Sequence, residues 1–181
     1  MLNTMNEYDF GLHFKLADSQ ADPSVYEDEL FEAGCDDALL GIGQNGYLGL
    51  DFIRTADNAI KAIYSAIKNV KSVIPDGELY YISPDVVGIT EIATVMQCSR
   101  QNILKLKNAH TDTFPFPINS DGKSLNWHLA EVLKWYQNRG NDVDLALLEV
   151  AEFAMQFNLE KQNQNINSDK NLTLKARALV S

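Results

Sequence analysis

The sequence predicts an α+β protein with two modules followed by a C-terminal helix. Residues 1–82 alternate between strand-like apolar patterns and two helices, whereas residues 83–140 begin with two short helices separated by a brief turn. The charge changes at the same boundary: residues 1–82 carry 14 acidic and 5 basic side chains, whereas residues 83–140 carry 5 acidic and 6 basic ones. A charge step of this size indicates two modules with different partners.

The composition limits the class of protein. Apolar residues make up 45% of the 181 residues and charged residues 22%, which is typical of a globular chain. No apolar stretch approaches the roughly 20 residues that cross a bilayer, and residues 1–9 lack the basic and apolar regions of a secretory signal. Two cysteines, Cys35 and Cys98, are too few for a disulfide framework. We therefore expect a cytoplasmic protein.

Residues 1–82, the acidic module, open with a strand and a short helix. Every second residue from Tyr8 to Leu16 is apolar or aromatic, which predicts a strand. Asp22 is a good helix N-cap, and a proline follows it at the first helical position. A helix is therefore expected over Pro23–Ala33, ending at Gly34.

A hairpin, a second helix and a final strand complete the acidic module. Strands are expected over Ala38–Ile42 and Tyr47–Ile53, joined through an Asn-Gly turn that tolerates positive φ. The helix that follows, capped by Thr55 or Asp57, carries one apolar stripe: Ile60, Ile63, Tyr64, Ile67 and Val70. Glu78–Ile82 is the last predicted strand.

The resulting order, β-α-β-β-α-β, is typical of the ferredoxin-like sandwich, in which two helices cover one face of an antiparallel sheet. RNA-recognition domains share this order and stack bases on exposed aromatic rings beside basic residues. The third strand offers Tyr47 and Phe52 with only Arg54 as a basic neighbour, and the module has a net charge of −9, which argues against RNA. Sensing of a small molecule or contact with another protein stays open.

Residues 83–140 begin with a helix-turn-helix pattern after a boundary at Ser83-Pro84. Thr90 is a candidate N-cap for a first helix with an apolar face. Ser99 is a second candidate N-cap, and it precedes a helix over Arg100–Lys107 in which Ile103 is the expected buried residue. Two short helices with so brief a connection are typical of helix-turn-helix domains.

The exposed face of the second helix carries side chains suited to reading DNA bases. Arg100, Gln101 and Asn102 occupy its first turn, and Lys105 lies one turn further on. Arginine pairs with guanine edges in the major groove, and glutamine or asparagine pairs with adenine. Ser99 and the helix N-terminus are suited to a backbone phosphate. The alternative interpretation is the ordinary polar surface of a small helical domain.

The remainder of residues 83–140 predicts a wing and a closing helix. Phe114–Ile118 and Leu125–Trp127 flank the polar turn Asn119–Ser124, and we interpret them as a small hairpin. A helix is expected over His128–Arg139, ended by Gly140. Together these elements make a winged helix-turn-helix domain.

The stretch from Val87 to Trp135 resembles the excisionase-like and MerR-type winged helix-turn-helix DNA-binding domains of bacteria and phages. The resemblance rests on Glu91-Ile92-Ala93, Met96, Ser99-Arg100-Gln101, Phe114-Pro115, Pro117, Trp127, Val132 and Trp135. It implies that these residues face DNA, the last on the wing tip: Ser99, Arg100, Gln101, Asn102, Lys105 and Lys123. Two positions depart from the family pattern, since Gln97 replaces a turn glycine and His128 replaces a common arginine.

The C-terminal part divides into a helix over residues 141–162 and a tail over residues 163–181. Apolar residues of the helix follow heptad spacing: Val143, Leu147, Val150, Ala154 and Phe157. The helix could dock on its own chain or pair with its copy, and we favour pairing because regulators of this kind read two half-sites. The polar tail is expected to be flexible and frayed.

These features predict a sequence-specific, double-stranded DNA-binding transcriptional regulator that acts as a homodimer without a cofactor or metal ion. The alternative is a protein-interaction component, an antitoxin or adaptor, that acts through the acidic module and binds DNA to regulate itself. An enzyme is not expected, because His13, His110 and His128 are scattered and no nucleophile is recognisably arranged with them.

Overall fold

The computed structural model describes residues 5–41, 43–119, 124–165 and 170–180 as a mixed α+β structure. The acidic module contains β1 (Asn6–Lys15), a 3-10 turn (Pro23–Tyr26), α1 (Glu27–Glu32), β2 (Ala38–Gly41), β3 (Tyr47–Ala56), α2 (Ala59–Val73) and β4 (Glu78–Ser83). Residues 83–140 contain β5 (Val86–Gly88), α3 (Ile89–Val95), α4 (Arg100–Ala109), β6 (Asn126–His128) and α5 (Leu129–Asn138). Helices α6 (Leu145–Asn165) and α7 (Lys170–Val180) follow.

Strands β1 to β4 form one antiparallel sheet in the order β2-β3-β1-β4. The alternation predicted for β1 and the residue after it is confirmed, because the five predicted inner residues are all buried: Tyr8, Phe10, Leu12, Phe14 and Leu16. Leu48, Leu50 and Phe52 of β3 lie on the same face, since residues two apart on a strand share a side. Helices α2 and α6 cover this face, and the other face of the sheet carries exposed side chains.

The buried face of α2 differs from the predicted apolar stripe. Ile60 and Tyr64 are 58% and 71% exposed. The residues that pack on the sheet are mostly small: Ala59, Ala62, Ile63, Ala66 and Val70. Alanine allows a helix to approach a sheet closely, so the helix is rotated away from its bulkiest side chains. The N-cap is Asn58, whose Oδ1 accepts the Lys61 N–H at 2.9 Å, so neither predicted cap is used.

The turn between α3 and α4 confirms one predicted cap and corrects the other. Ser99 Oγ accepts a hydrogen bond from the Asn102 N–H at 3.2 Å, as expected. Helix α3 starts earlier than predicted, because the Glu91 carboxylate accepts the Gly88 N–H at 3.1 Å, and Thr90 lies inside the helix. Gln97, in the turn, has a φ of 49°, the left-handed conformation that favours glycine.

The predicted hairpin of the wing is wrong in its pairing. Strand β6 pairs with β5 and not with residues 114–118. Between the backbones of the two segments, the Ile118 N–H donates to the Asn126 carbonyl at 2.8 Å. Pro115 and Pro117 explain the difference, because proline has no N–H to donate to a strand ladder. The segment is instead held by the Trp127 indole, which donates to the Pro115 carbonyl at 2.9 Å.

Helix α6 lies between two apolar cores. Its residues Val150 and Ala154 are buried against the sheet, whereas Leu148 and Ala151 are buried among the helices of residues 83–140. The heptad positions are therefore occupied within one chain. This corrects our preference for pairing through this helix and leaves docking on its own chain as the observed arrangement.

A buried polar network joins α6 to both modules. The Asn158 side-chain amide accepts the Ile82 N–H at 2.9 Å and donates to the Ile82 carbonyl at 2.8 Å, so it covers the edge of β4. The same amide donates to Asp85 Oδ2 at 2.9 Å, and His128 Nδ1 bonds Asp85 Oδ1 at 2.6 Å. Asp85 also accepts the Leu129 N–H through its backbone carbonyl at 2.7 Å, at the start of α5.

The C-terminal boundary also differs from the prediction. Helix α6 continues to Asn165, and residues 170–180 form α7 where a frayed tail was expected. Leucine, alanine, lysine and arginine dominate that stretch, and all four favour helix. Within the described parts of the chain, neither of these helices nor any other combines the length and apolarity needed to span a membrane.

Replacing Gln97 with glycine should raise the free energy of unfolding by up to about 1 kcal/mol, because glycine reaches positive φ without steric cost. Gln97→Val should lower it by about 1–2 kcal/mol, since a β-branched side chain is strained there. Urea unfolding measures both changes. Gln156→Gly, in the middle of α6, is the control and should lower the free energy of unfolding by about 1 kcal/mol. If Gln97→Gly lowered it by the same amount, Gln97 would carry no strain.

Asn158→Leu should lower the free energy of unfolding by about 2–4 kcal/mol, because it leaves the Ile82 backbone groups and Asp85 without their buried partner. Gln162→Leu is a matched control, since Gln162 lies exposed on the same helix. The control should change the free energy by less than about 0.5 kcal/mol. Similar small losses for the two variants in chemical denaturation would contradict the role given to the network.

Candidate nucleic-acid interface

Five of the six predicted DNA-facing residues lie together at the start of α4. Ser99, Arg100, Gln101, Asn102 and Lys105 are all exposed. Ile103 of the same helix is fully buried in the second core, which fixes the rotation of α4 about its axis. The sixth residue, Lys123 on the expected wing tip, lies outside the described residues.

Three of the exposed polar side chains of this surface make no bond within the part of the chain that the structure describes. Among the described residues, the side chains of Arg100, Gln101 and Lys105 form no hydrogen bond or ion pair with the rest of the chain. Residues 96–111 contain Arg100, Lys105 and Lys107 and no aspartate or glutamate. The result is a locally basic surface on a chain whose net charge is −10.

The N-terminus of α4 adds backbone donors to this surface. Ser99 caps the Asn102 N–H, whereas the N–H groups of Arg100 and Gln101 have no acceptor among the described residues. Free first-turn N–H groups and the helix dipole favour a negative charge. The end of α4 that carries Arg100, Gln101 and Asn102 is thus also suited to a phosphate.

A groove of about 410 Å³ separates α4 from the segment that leads into β6. Arg100, Leu104 and Lys107, on successive turns of α4, line one side of it. Ser124 and Leu125 line the other side. Sequence reasoning did not identify Lys107 as a site residue, although its spacing of seven from Arg100 places both on one face of the helix.

The base of the loop beyond this groove is fixed by one side chain. Asn119 Nδ2 donates to the Ser124 carbonyl at 2.7 Å, and Asn119 Oδ1 accepts the Asn126 N–H at 2.9 Å. The two ends of the loop are therefore held beside α4. Phe116, on the segment that precedes the loop, is highly exposed.

His128 has a structural role in this fold. Its imidazole is largely buried and bonded to Asp85, which also binds Asn158. His128 is the position at which the sequence departs from a common arginine of the family pattern, and its ring lies between the two modules and not on the exposed surface of α4.

A second candidate site lies on the open face of the sheet and was missed by sequence reasoning. A groove of about 500 Å³ is lined by His13, Tyr47, Gly49, Asp51 and Tyr80, with other residues of β2 and the following turn. The rings of Tyr47 and Tyr80 meet edge to face at 6.0 Å between centroids. Alternation predicts which residues of one strand face outward, but the pairing of β1 with β4 cannot be read from it.

The acidic side of this second site contains polar groups with shifted pKa values. His13 Nε2 lies 3.1 Å from Ser83 Oγ, and Asp51 Oδ1 lies on the same side of Gly11. Burial lowers the pKa of His13, although the nearby Asp51 carboxylate acts in the opposite direction. Burial, aided by Asp51, raises the pKa of Asp9. The Asp51 carboxylate has no described bond to the imidazole, so these residues do not form a catalytic triad.

The aromatic and basic residues considered for RNA do not share a surface. Tyr47 is exposed on the open face, whereas Phe52 is fully buried on the opposite one. The Arg54 guanidinium is held over the Phe52 ring and binds both carboxylate oxygens of Asp37 at 2.7 Å. Since Asp37 is bonded to arginine, it is not a free metal ligand, and no metal-binding cluster of His, Cys, Asp and Glu exists among the described residues.

The two cysteines are separate and free. Burial raises the pKa of the Cys35 thiol to about 11, so this thiol is unreactive at neutral pH. Cys98 is partly buried and packs against the second core beside α4.

Comparisons with protein families, curated proteins and solved structures find no match to this chain.

Because the pKa of His13 is lowered in the folded protein, we expect the free energy of unfolding to depend on pH. As pH falls below the ordinary histidine value of 6.5, the unfolded chain binds a proton at this residue more readily than the folded chain does. Stability should therefore fall with decreasing pH, and His13→Gln should lose part of that dependence. Urea unfolding of both proteins at pH 8 and pH 5.5 measures the difference. An identical pH dependence in wild type and variant would refute this assignment.

Proposed function

We propose that this protein is a sequence-specific, double-stranded DNA-binding transcriptional regulator, with residues 99–107 as the recognition helix in the major groove. The observation that carries the proposal is the first turn of α4, where Arg100, Gln101 and Asn102 are exposed beside Lys105. Such side chains at the N-terminal end of the second helix of a helix pair are suited to base edges. The capped helix N-terminus is suited to the adjoining phosphate.

We further propose a winged helix-turn-helix arrangement attached to a ferredoxin-like module. The sheet order β2-β3-β1-β4, with every neighbouring pair antiparallel, supports the ferredoxin-like part. The packing of α3 on α4, the β5–β6 ladder and the closing helix α5 support the winged part. Phe114, which carries part of the family resemblance, packs edge to face on Trp127 at 5.9 Å and on Trp135 at 4.9 Å between ring centroids, and these contacts support it too.

The charge of the chain sets the expected mode of binding. Few basic residues face DNA in one copy, so each copy neutralises few phosphates and its affinity is modest and strongly salt-dependent. A homodimer doubles these contacts and gives two half-sites. Binding at the major groove by these side chains requires no cofactor.

A second function is supported by the groove on the open face of the sheet. His13, Tyr47, Asp51 and Tyr80 surround a cleft of about 500 Å³ in a module with a net charge of −9. An antitoxin or adaptor would bind a protein partner at such a surface and would use α4 to regulate its own expression. The two functions differ in which face of the molecule binds first and most tightly.

Selection of random duplex DNA on the purified full-length protein at moderate salt tests the proposal. Enrichment of one motif, repeated or palindromic, is expected for a dimeric regulator, and its spacing gives the distance between half-sites. A folded protein that enriches no motif would overturn the proposal and favour a protein partner for the acidic module.

Arg100→Ala should weaken binding to an enriched duplex by about 1–3 kcal/mol and relax preference at one base position. Fluorescence anisotropy on the enriched duplex and on a scrambled duplex measures both effects. Lys68→Ala is the control, because Lys68 is exposed on α2 in the acidic module and should leave binding unchanged. Unchanged preference in Arg100→Ala, or an equal loss in Lys68→Ala, would contradict the assignment.

A further inference from the structure

Helix α7 exposes large apolar side chains to solvent. Leu172 and Leu174 are each 63% exposed and Leu179 is 86% exposed. A helix of 11 residues is marginally stable alone, and most helical stability in proteins comes from packing an apolar face. The exposed leucines therefore indicate a surface that is covered in the functional form of the protein.

The charge of α7 limits the kinds of surface that can bind it. Residues 170–180 include Lys170, Lys175 and Arg177 and no aspartate or glutamate. Leu172 and Leu179 are seven residues apart and lie on one side of the helix, with Lys175 beside them. The complement of α7 is thus an apolar groove with an acidic rim.

The chain contains such a groove between the start of α2 and the first half of α6. A cavity of about 390 Å³ is lined by Ala59, Ile60 and Phe153 together with Glu149, Glu152 and Gln156. Ile60 and, one turn further on, Tyr64 are the exposed large apolar residues of α2. Ile60 lines the groove and Tyr64 follows on the same side of α2, so apolar surface extends from the groove along the outer side of this helix.

The rim of the groove keeps negative charge for a basic helix. Glu149 accepts the neutral Ala59 N–H at 3.2 Å, which positions its carboxylate without neutralising it. Glu152 forms an ion pair with Lys134 of α5 at 2.5 Å, so among the described residues Glu149 is the rim carboxylate that no ion pair compensates. The acidic module that contributes α2 has a net charge of −9, which adds to the attraction for α7.

We infer that α7 of a second copy of this chain docks in the groove between α2 and α6. Two copies then exchange α7 reciprocally, which gives a closed two-fold dimer in which both sets of exposed apolar side chains are buried. The inference gives a surface to the homodimer of the proposed function. Its test measures molecular mass in the absence of DNA, so its failure and a failure of DNA binding are distinguishable.

Sedimentation velocity of full-length variants tests the docking. The variant Leu172→Ser with Leu179→Ser removes the helix face, and Ile60→Glu removes the groove; all three residues are exposed, so each variant should fold. We expect a dimer for wild type and monomers for both variants. Leu39→Ser, at an exposed leucine of β2, is the control and should stay dimeric. A monomeric wild type, or variants that remain dimeric, would overturn the inference.

Mixing the two monomeric variants distinguishes exchange between chains from docking within one chain. The Ile60→Glu chain retains its α7 and the double-serine chain retains its groove, so one of the two contacts can form between them. A heterodimer, weaker than the wild-type dimer, is the expected result. Two monomers after mixing would overturn the inference, because α7 would then act only within its own chain.

Discussion

The packing of α6 between two cores is the constraint on which the rest of the structure depends. One side of the helix buries Val150 and Ala154 against the sheet, and the other buries Leu148 and Ala151 among α3, α4 and α5. Between them, Asn158 bonds both backbone groups of Ile82 and the Asp85 carboxylate. Because buried polar groups without partners are costly, this arrangement tolerates little rotation of one module against the other.

This constraint gives α4 its position in the molecule. Asp85 is bonded through its side chain to His128 and through its backbone to the first turn of α5. These bonds fix the position of α5 relative to the sheet. Helix α5 packs with α3 and α4 in one core, and the exposed face of α4 therefore points in a fixed direction relative to the sheet. In the proposed dimer the same rigidity fixes the separation of the two α4 helices, which determines the spacing of half-sites.

Features set by local sequence could be predicted well. The alternation of β1, the Ser99 cap and the exposed turn Arg100–Asn102 all follow from residues within a few positions of one another. Features set by contacts between distant parts of the chain could not be predicted. The buried face of α2 depends on how closely alanines let it approach the sheet, and the pairing of β6 with β5 depends on prolines that exclude the nearer partner.

The candidate sites divide in the same way. The surface of α4 is one helical turn and was identified by residue type and spacing, whereas His13 and Ser83 are 70 residues apart and meet only through strand pairing. Heptad spacing alone does not say what a helix packs against. In α6 the same spacing is suited to pairing with a second copy of the helix and to packing between two cores of its own chain.

Amide chemical shifts of the isotope-labelled protein, recorded during titration with a duplex, report which face of the molecule contacts DNA. If α4 is the recognition helix, the shifts should be salt-sensitive and should cluster in residues 99–107, and the open face of the sheet should show none. Shifts confined to the sheet around His13 and Asp51, or no shifts at low salt, would contradict this assignment.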